Sequence, residues 1–338
     1  MAITPSFHVV PGSTVRDVIN DHRAELFEAV ENAYRLHQSG QSINPDSYFL
    51  RYPDQPRNRI IALPAHLGGD VHKSGIKWIA SFPANTTGNL ARASAVQILN
   101  DAETGYPVAC LEASLISATR TAASAALAAE AMSPTPFTGS LAVIGTGIIS
   151  RTTVEWLKFR NWQLEKISLY DINSEEAERF AEWLRGTYGD TVEIKRSLEE
   201  AISDASLILL ATTALEPHLD DPRLLAHAPT VLHLSLRDIT VNVILGSQNI
   251  VDDVEHSLKA RTSVHLAEMA TGNRDFIAGT LVDMLDGKCR PDPTKPRIFS
   301  PFGLGVLDIA VANHVLKEAI ARGAAIAIPE FFSNAARW

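Results

Sequence analysis

The string Gly145-Thr146-Gly147-Ile148-Ile149-Ser150 spaces two glycines and a small residue in the way a phosphate-binding turn requires. It follows the apolar run Leu141-Ala142-Val143-Ile144 and opens a helix-like segment at 151–159. Gly145 permits a sharp strand-to-helix turn. Gly147 has no side chain, so a pyrophosphate can reach the backbone, and Ser150 lets the helix lie close on the strand. The helix N-terminus then offers N–H groups to the phosphates. A second run, Ile167-Ser168-Leu169-Tyr170, ends at Asp171, 21 residues past Ser150. A carboxylate there accepts both ribose hydroxyls of an adenosine and repels a 2′-phosphate, so the expected cofactor is NAD and not NADP.

Three charged residues stand in surroundings that ask for a partner. Lys77 lies in the apolar run Gly75-Ile76-Lys77-Trp78-Ile79-Ala80. Either its strand has one solvated face, or the ammonium points inward and needs an anion or a reacting carbonyl. Arg120 is the only charge between Glu112 and Glu130, among small residues and with no carboxylate at helical spacing. Its fork suits a carboxylate or phosphate from outside, or an acid distant in sequence. Asp238 follows the run Val231-Leu232-His233-Leu234-Ser235, where strand ends of open α/β sheets face the ligand crevice. It can orient or activate water, or serve as a helix cap or partner of Arg237. Lys73, His66 and His72 read as loop or solvent residues, and 252–256 as a strand end before an exposed helix start.

The elements that must position these residues fall into two patterns. A helix is expected at 16–37, with Val18, Ile19, Leu26, Phe27, Val30 and Tyr34 inward. Short strands follow at 48–50, 60–63, 76–79, 95–99 and 108–111, with 100–105 as a hairpin loop. A small-residue helix at 114–131 leads to the linker Ser133-Pro134-Thr135-Pro136. From 140 onward strands (141–145, 166–171, 191–195, 206–211, 230–235, 249–252) alternate with helices such as 174–187 and 198–203, the signature of a doubly wound parallel sheet. A last helix at 306–322 returns to the first domain. The fold class is thus α/β: a Rossmann NAD-binding domain at 134–305 and a discontinuous α+β substrate-binding domain at 1–133 and 306–338.

Composition narrows the function classes. The 338 residues carry a net charge of −9 and are 46% hydrophobic. Acidity argues against nucleic acid as a partner. Two distant cysteines give no disulfide framework and no zinc site. No signal peptide or membrane span is visible, so a cytoplasmic protein with no membrane partner is expected.

The residues resemble the ornithine cyclodeaminase/μ-crystallin family over nearly the whole chain. The landmarks are Leu63-Pro64-Ala65, Ile76-Lys77, Gly105-Tyr106-Pro107, Thr119-Arg120-Thr121-Ala122-Ala123 and the glycine string. Ala211-Thr212-Thr213 and Gly303-Leu304-Gly305-Val306-Leu307-Asp308 add to them. Three longer strings resemble the N-[(2S)-2-amino-2-carboxyethyl]-L-glutamate dehydrogenase branch, which supplies L-2,3-diaminopropionate for siderophores and antibiotics: 59–66, 75–83 and 235–239.

The resemblance implies roles. Lys77 and Asp238 are catalytic. Arg51 holds a substrate α-carboxylate, with Lys77, Arg92 and Arg120 as further substrate contacts. Arg120, Gly145, Thr146, Gly147, Ile148, Ile149, Asp171, Thr212, Thr213, Ser235, Leu236 and Leu304 are the implied cofactor contacts. Ile61 stands where cyclodeaminases carry a glutamate for the substrate's distal ammonium. The implied protein is a homodimer, with 1–133 and 306–338 as its dimerisation domain, that oxidises an amino-acid-derived secondary amine. The rival readings are an ornithine cyclodeaminase, an alanine dehydrogenase or ketimine reductase, and a non-enzymatic crystallin-like binding protein.

Overall fold

The computed structural model describes residues 6–332. In chain order the first half contains β1 (Phe7–Val10), α1 (Gly12–Asp21), α2 (Arg23–Gln38), β2 (Ser42–Ile43), β3 (Tyr48–Tyr52), β4 (Gln55–Leu67), β5 (Lys73–Ser81), β6 (Ala93–Asp101), β7 (Pro107–Glu112) and α3 (Ser114–Met132). Next come β8 (Thr138–Ile144), α4 (Ile148–Phe159), β9 (Gln163–Tyr170), α5 (Ser174–Tyr188), β10 (Val192–Ile194), α6 (Leu198–Ile202), β11 (Leu207–Leu210) and β12 (Thr230–His233). The remainder is α7 (Val241–Leu245), β13 (Gln248–Val251), α8 (Val254–Ser257), α9 (Ser263–Thr271), β14 (Ile277–Thr280), α10 (Leu281–Leu285), β15 (Arg297–Ser300), α11 (Gly305–Ala321) and β16 (Ile326–Ile328). Two compact units result: described residues up to 120 with those from 304 on, and residues 121–303. The first division falls inside the continuous helix α3, upstream of the Ser133–Pro136 stretch that reads as a linker.

In the first unit β4, β5, β6 and β7 form an antiparallel meander. β1 joins β7 in parallel, β16 closes that side, and β2 and β3 both pair with β4. Directly opposed residues of an antiparallel ladder share a face. One face therefore carries the row Leu63, Lys77, Gln97, the row Phe49, Ile61, Ile79 and the row Arg51, Arg59, Ser81. The other carries Tyr48, Ala62, Trp78 and Val96. α11 is buried along most of its length, and it packs on β4, β5, β6 and α2. Its close seat needs Gly75: a Cβ there would stand 2.2 Å from the Ile98 carbonyl oxygen and 2.9 Å from Ile309 Cδ1.

The expected helix at 16–37 is two helices broken at His22. His22 Nε2 lies 3.4 Å from Glu318 Oε2 and 2.6 Å from Arg322 Nη2, so polar contacts to α11 and the turn after it compete with helix continuation. The strands read as short are long, and β4 runs through Pro64. His66 sits in β4, with Nδ1 3.0 Å from Ser74 Oγ, and not in a loop. Lys73 is in β5 and pairs with Asp101 at 3.4 Å.

The second unit is a fully parallel sheet in the order β10-β9-β8-β11-β12-β15-β13-β14. The order reverses between β8 and β11, the switch point at which doubly wound folds bind ligands. β11 and β12 are buried at every position, as parallel strands covered on both faces are. Asp252, expected near an exposed start, is buried at 3% exposure. It accepts the N–H groups of Phe302 at 2.9 Å and Gly303 at 2.7 Å. Burial pushes its carboxyl above the ordinary range despite those bonds.

Candidate active site

The glycine string forms the turn between β8 and α4. Gly145 has φ +86°, and a Cβ there would stand 2.7 Å from the Ala211 carbonyl oxygen, so only glycine fits. A Cβ on Gly147 would meet nothing within 4 Å, so its backbone faces open space at the start of α4. Ile148 is exposed, while Ser150 is fully buried and donates to the Gly145 carbonyl. Asp171, at the end of β9, accepts Thr146 N–H at 2.7 Å and the Thr146 hydroxyl at 3.0 Å. It thereby fixes the turn from the neighbouring strand. A bare backbone at a helix N-terminus beside a carboxylate at the next strand's end fits the pyrophosphate and ribose of a dinucleotide. Leu304 lies in the first unit, fully buried at the start of α11.

Beyond β11 and β12 a second cluster forms around Asp238. Its carboxylate, fully buried, accepts the hydroxyls of Thr212 and Ser235. His233 Nε2 lies 3.3 Å from Oδ2, and His218 Nε2 lies 3.6 Å from Oδ1. Leu236 adopts φ +74°, a left-handed conformation that costs a branched residue energy and bends the chain so that Asp238 turns back toward the strand ends. Burial pushes the Asp238 carboxyl up. The His233 hydrogen bond and charge, then the two hydroxyls, pull it down further, so it lies below the ordinary carboxylate value and is ionised near neutral pH. Thr213 is exposed beside this cluster. His233 stands at the end of β12 and His218 in the loop after β11, and neither gave a further sequence signal.

In the first unit Lys77 is 1% exposed, so the strand does not simply turn it to solvent. Nζ donates to Asp308 Oδ2 at 2.7 Å and to Ser117 Oγ at 3.1 Å. Arg120 Nε stands 3.4 Å from Asp308 Oδ1, so its acid is indeed one distant in sequence. Burial lowers Lys77 from 10.5 to about 8; Asp308 raises it and the Arg120 charge lowers it. Asp308 is the site residue that sequence reasoning passed over, although it ends the string Gly303-Leu304-Gly305-Val306-Leu307-Asp308. Only the register of α11 over β5 reveals what it does.

Further along the same face Arg59 opposes both Arg51 and Ser81, and Arg92 Nη1 donates to Ser81 Oγ at 2.8 Å. Arg51 is exposed and stacks over Phe49 at 5.1 Å. Burial holds Arg92 below its ordinary value. At about 3.4 Å per residue, Ser81 lies roughly 14 Å along β5 from Lys77. Ile61 sits between the Lys77 row and the arginine row, so an apolar side chain occupies the stretch between the cations.

Comparison with known proteins agrees with this architecture. The family model described as "Ornithine cyclodeaminase/mu-crystallin family" matches residues 13–323. The N-((2S)-2-amino-2-carboxyethyl)-L-glutamate dehydrogenase of Staphylococcus aureus is 28% identical over 318 residues, 91% of this chain and 94% of that protein. The alanine dehydrogenase of Archaeoglobus fulgidus is 25% identical over 307 residues, 88% of this chain and 91% of that one. The structure of Thermococcus litoralis Δ1-pyrroline-2-carboxylate reductase, in complex with NADH and L-proline, superposes with a TM-score of 0.86 at 23% identity, covering 95% of this chain and 99% of that one. No helix among the described residues is long and apolar enough to cross a membrane. The chain belongs to the ornithine cyclodeaminase/mu-crystallin family.

Proposed function

We propose that the protein is an NAD-dependent oxidoreductase that cleaves N-[(2S)-2-amino-2-carboxyethyl]-L-glutamate to L-2,3-diaminopropionate and 2-oxoglutarate, for siderophore or peptide-antibiotic biosynthesis. The observation that carries this reading is the sheet face on which Lys77 and a set of arginines flank an apolar Ile61. The substrate has three carboxylates, which suit spaced cations. Ornithine ends in an ammonium, for which Ile61 offers no carboxylate. Similarity to the Staphylococcus aureus dehydrogenase supports the same choice.

The balance is one secondary ammonium, NAD⁺ and water giving the oxo acid, a primary ammonium, NADH and one proton. When bound, the nicotinamide ring supplies a hydride acceptor for the glutamate α-carbon. The turn at Gly145–Ser150 and Asp171 would hold the pyrophosphate and adenosine ribose. Asp308 and Ser117 occupy two of the three Lys77 N–H groups, which leaves one for a substrate carboxylate. A lysine near 8 can also hand over its proton at working pH. Asp238, ionised and held by hydroxyls, takes a proton from the water that attacks the imine carbon.

The face opposite Lys77 exposes Tyr48 at 74%, Leu50 at 46%, Trp78 at 42% and Val96 at 39%. A contiguous apolar stripe of that kind fits burial against a second copy, and this first unit is the proposed dimerisation domain. Incubating the purified protein with NAD and, in turn, the carboxyethyl-glutamate, ornithine and alanine tests the function. NADH with the first substrate only supports the reading. Proline from ornithine without net NADH, or NADH from alanine alone, refutes it.

A further inference from the structure

We propose that His218 is the residue that passes the proton taken up by Asp238 to solvent. The inference rests on the reaction above, which releases one proton per turnover. Asp238 is fully buried, so bulk solvent does not reach its carboxylate, and the proton it takes from the reacting water needs a carrier to leave. Among the described residues, four side chains are seen around its carboxylate. Thr212 and Ser235 present hydroxyls that donate to it. His233 is fully buried, and its other nitrogen, Nδ1, is 3.0 Å from Ser300 Oγ, itself only 5% exposed, so this path ends in the interior. His218 differs: Nε2 is 3.6 Å from Oδ1 while the side chain is 37% exposed.

The backbone supports the pairing. The N–H groups of His218 and Leu219 both donate to the Asp238 carbonyl, at 2.9 and 2.8 Å, so the loop after β11 is tied to the residue it serves. A small rotation or one bridging water closes the remaining gap to a hydrogen bond. Imidazole exchanges protons with water near neutral pH, which a hydroxyl does not. The charged groups that face His218 are Asp238 on its inner side and Glu199 of α6, whose carboxyl lies low chiefly through Ser197 and backbone bonds and also feels the His218 charge. Asp238 in turn faces His233. A buried carboxylate between a closed imidazole and an open one gives the proton a direction.

The test compares wild type with His218→Gln and His218→Asn, measuring kcat and KM from pH 6 to 9, NAD affinity, and the effect of added imidazole. The expected result is a fall in kcat of about 100-fold at pH 7, the lower end of the range for a positioned proton-transfer group. KM and NAD affinity should stay within twofold, and imidazole should restore kcat in a saturable way. An unchanged kcat, or a loss that imidazole does not restore at any pH, overturns the relay. If wild type itself releases no NADH from the carboxyethyl-glutamate, the reaction fails first and the relay falls with it. A solvent isotope effect on wild-type kcat that is unchanged in His218→Gln would likewise overturn the proposal.

Discussion

Replacing Asp308 by asparagine should strip Lys77 of its proton at neutral pH. Asparagine keeps the shape of the side chain but removes the negative charge 2.7 Å from Nζ. In the native site Lys77 titrates at about 8 against an ordinary 10.5, a net cost of roughly 3 kcal/mol for holding the charge in the interior. Without Asp308, a charged Lys77 remains beside the Arg120 cation, and breaking a buried pair in this way costs about 3–5 kcal/mol. Releasing the proton at pH 7 from a group near 8 costs only about 1.4 kcal/mol. Release is the cheaper outcome, so Lys77 in the variant should titrate below about 7. The sign for stability follows. Between about pH 8 and 10.5 the unfolded chain holds a proton that the folded chain has lost, so native stability rises with pH across that window and is flat from this group below it. In Asp308→Asn the window should open at least one unit lower. Carbon-13 NMR of lysine Cε and urea unfolding against pH read the two effects independently of turnover. A Lys77 that still titrates at 8 or above in the variant would refute the reasoning.

Asp171 should favour NAD over NADP by 100-fold or more, because a desolvated like-charge contact costs several kcal/mol; Asp171→Ser should bring the two dissociation constants within about tenfold, and equal binding by wild type would contradict the assignment. Gly75→Ala should lower unfolding free energy by about 1–3 kcal/mol through overpacking against Ile98 and Ile309, as measured in urea. Trp78→Glu should shift a micromolar dimer to monomer in sedimentation while leaving NAD affinity unchanged; a wild-type monomer would remove the proposed interface.

Much of the second unit was legible because parallel strands are apolar throughout and their turns carry glycine. β8, β9 and β11 followed from runs such as Leu141–Ile144, and the turn from Gly145 and Gly147. β14 and β15 were not, because Ile277-Ala278-Gly279-Thr280 carries no apolar run, and β15 begins with Arg297, whose Nη2 reaches the Ala228 carbonyl at 2.8 Å. In the first unit the residues of β4 and β5 were visible but not their length, since Pro64 and Gly75 look like breakers in a local window. The need of Lys77 and Arg120 for an anion was readable from their surroundings. The identity of that anion was not, because Asp308 is 231 positions from Lys77 and only packing of α11 brings them together. The same holds for His218 and His233, which carry no spacing signal and meet at Asp238 through the loops beyond β11 and β12.

The central claim is hydride loss from the glutamate α-carbon, and isotopic labelling tests it most directly. Carboxyethyl-glutamate carrying deuterium at that carbon is incubated with NAD and the purified protein. The account predicts one deuterium in each NADH formed, with 2-oxoglutarate and 2,3-diaminopropionate in equal amounts. Unlabelled NADH, or products formed with no net NADH, would contradict it.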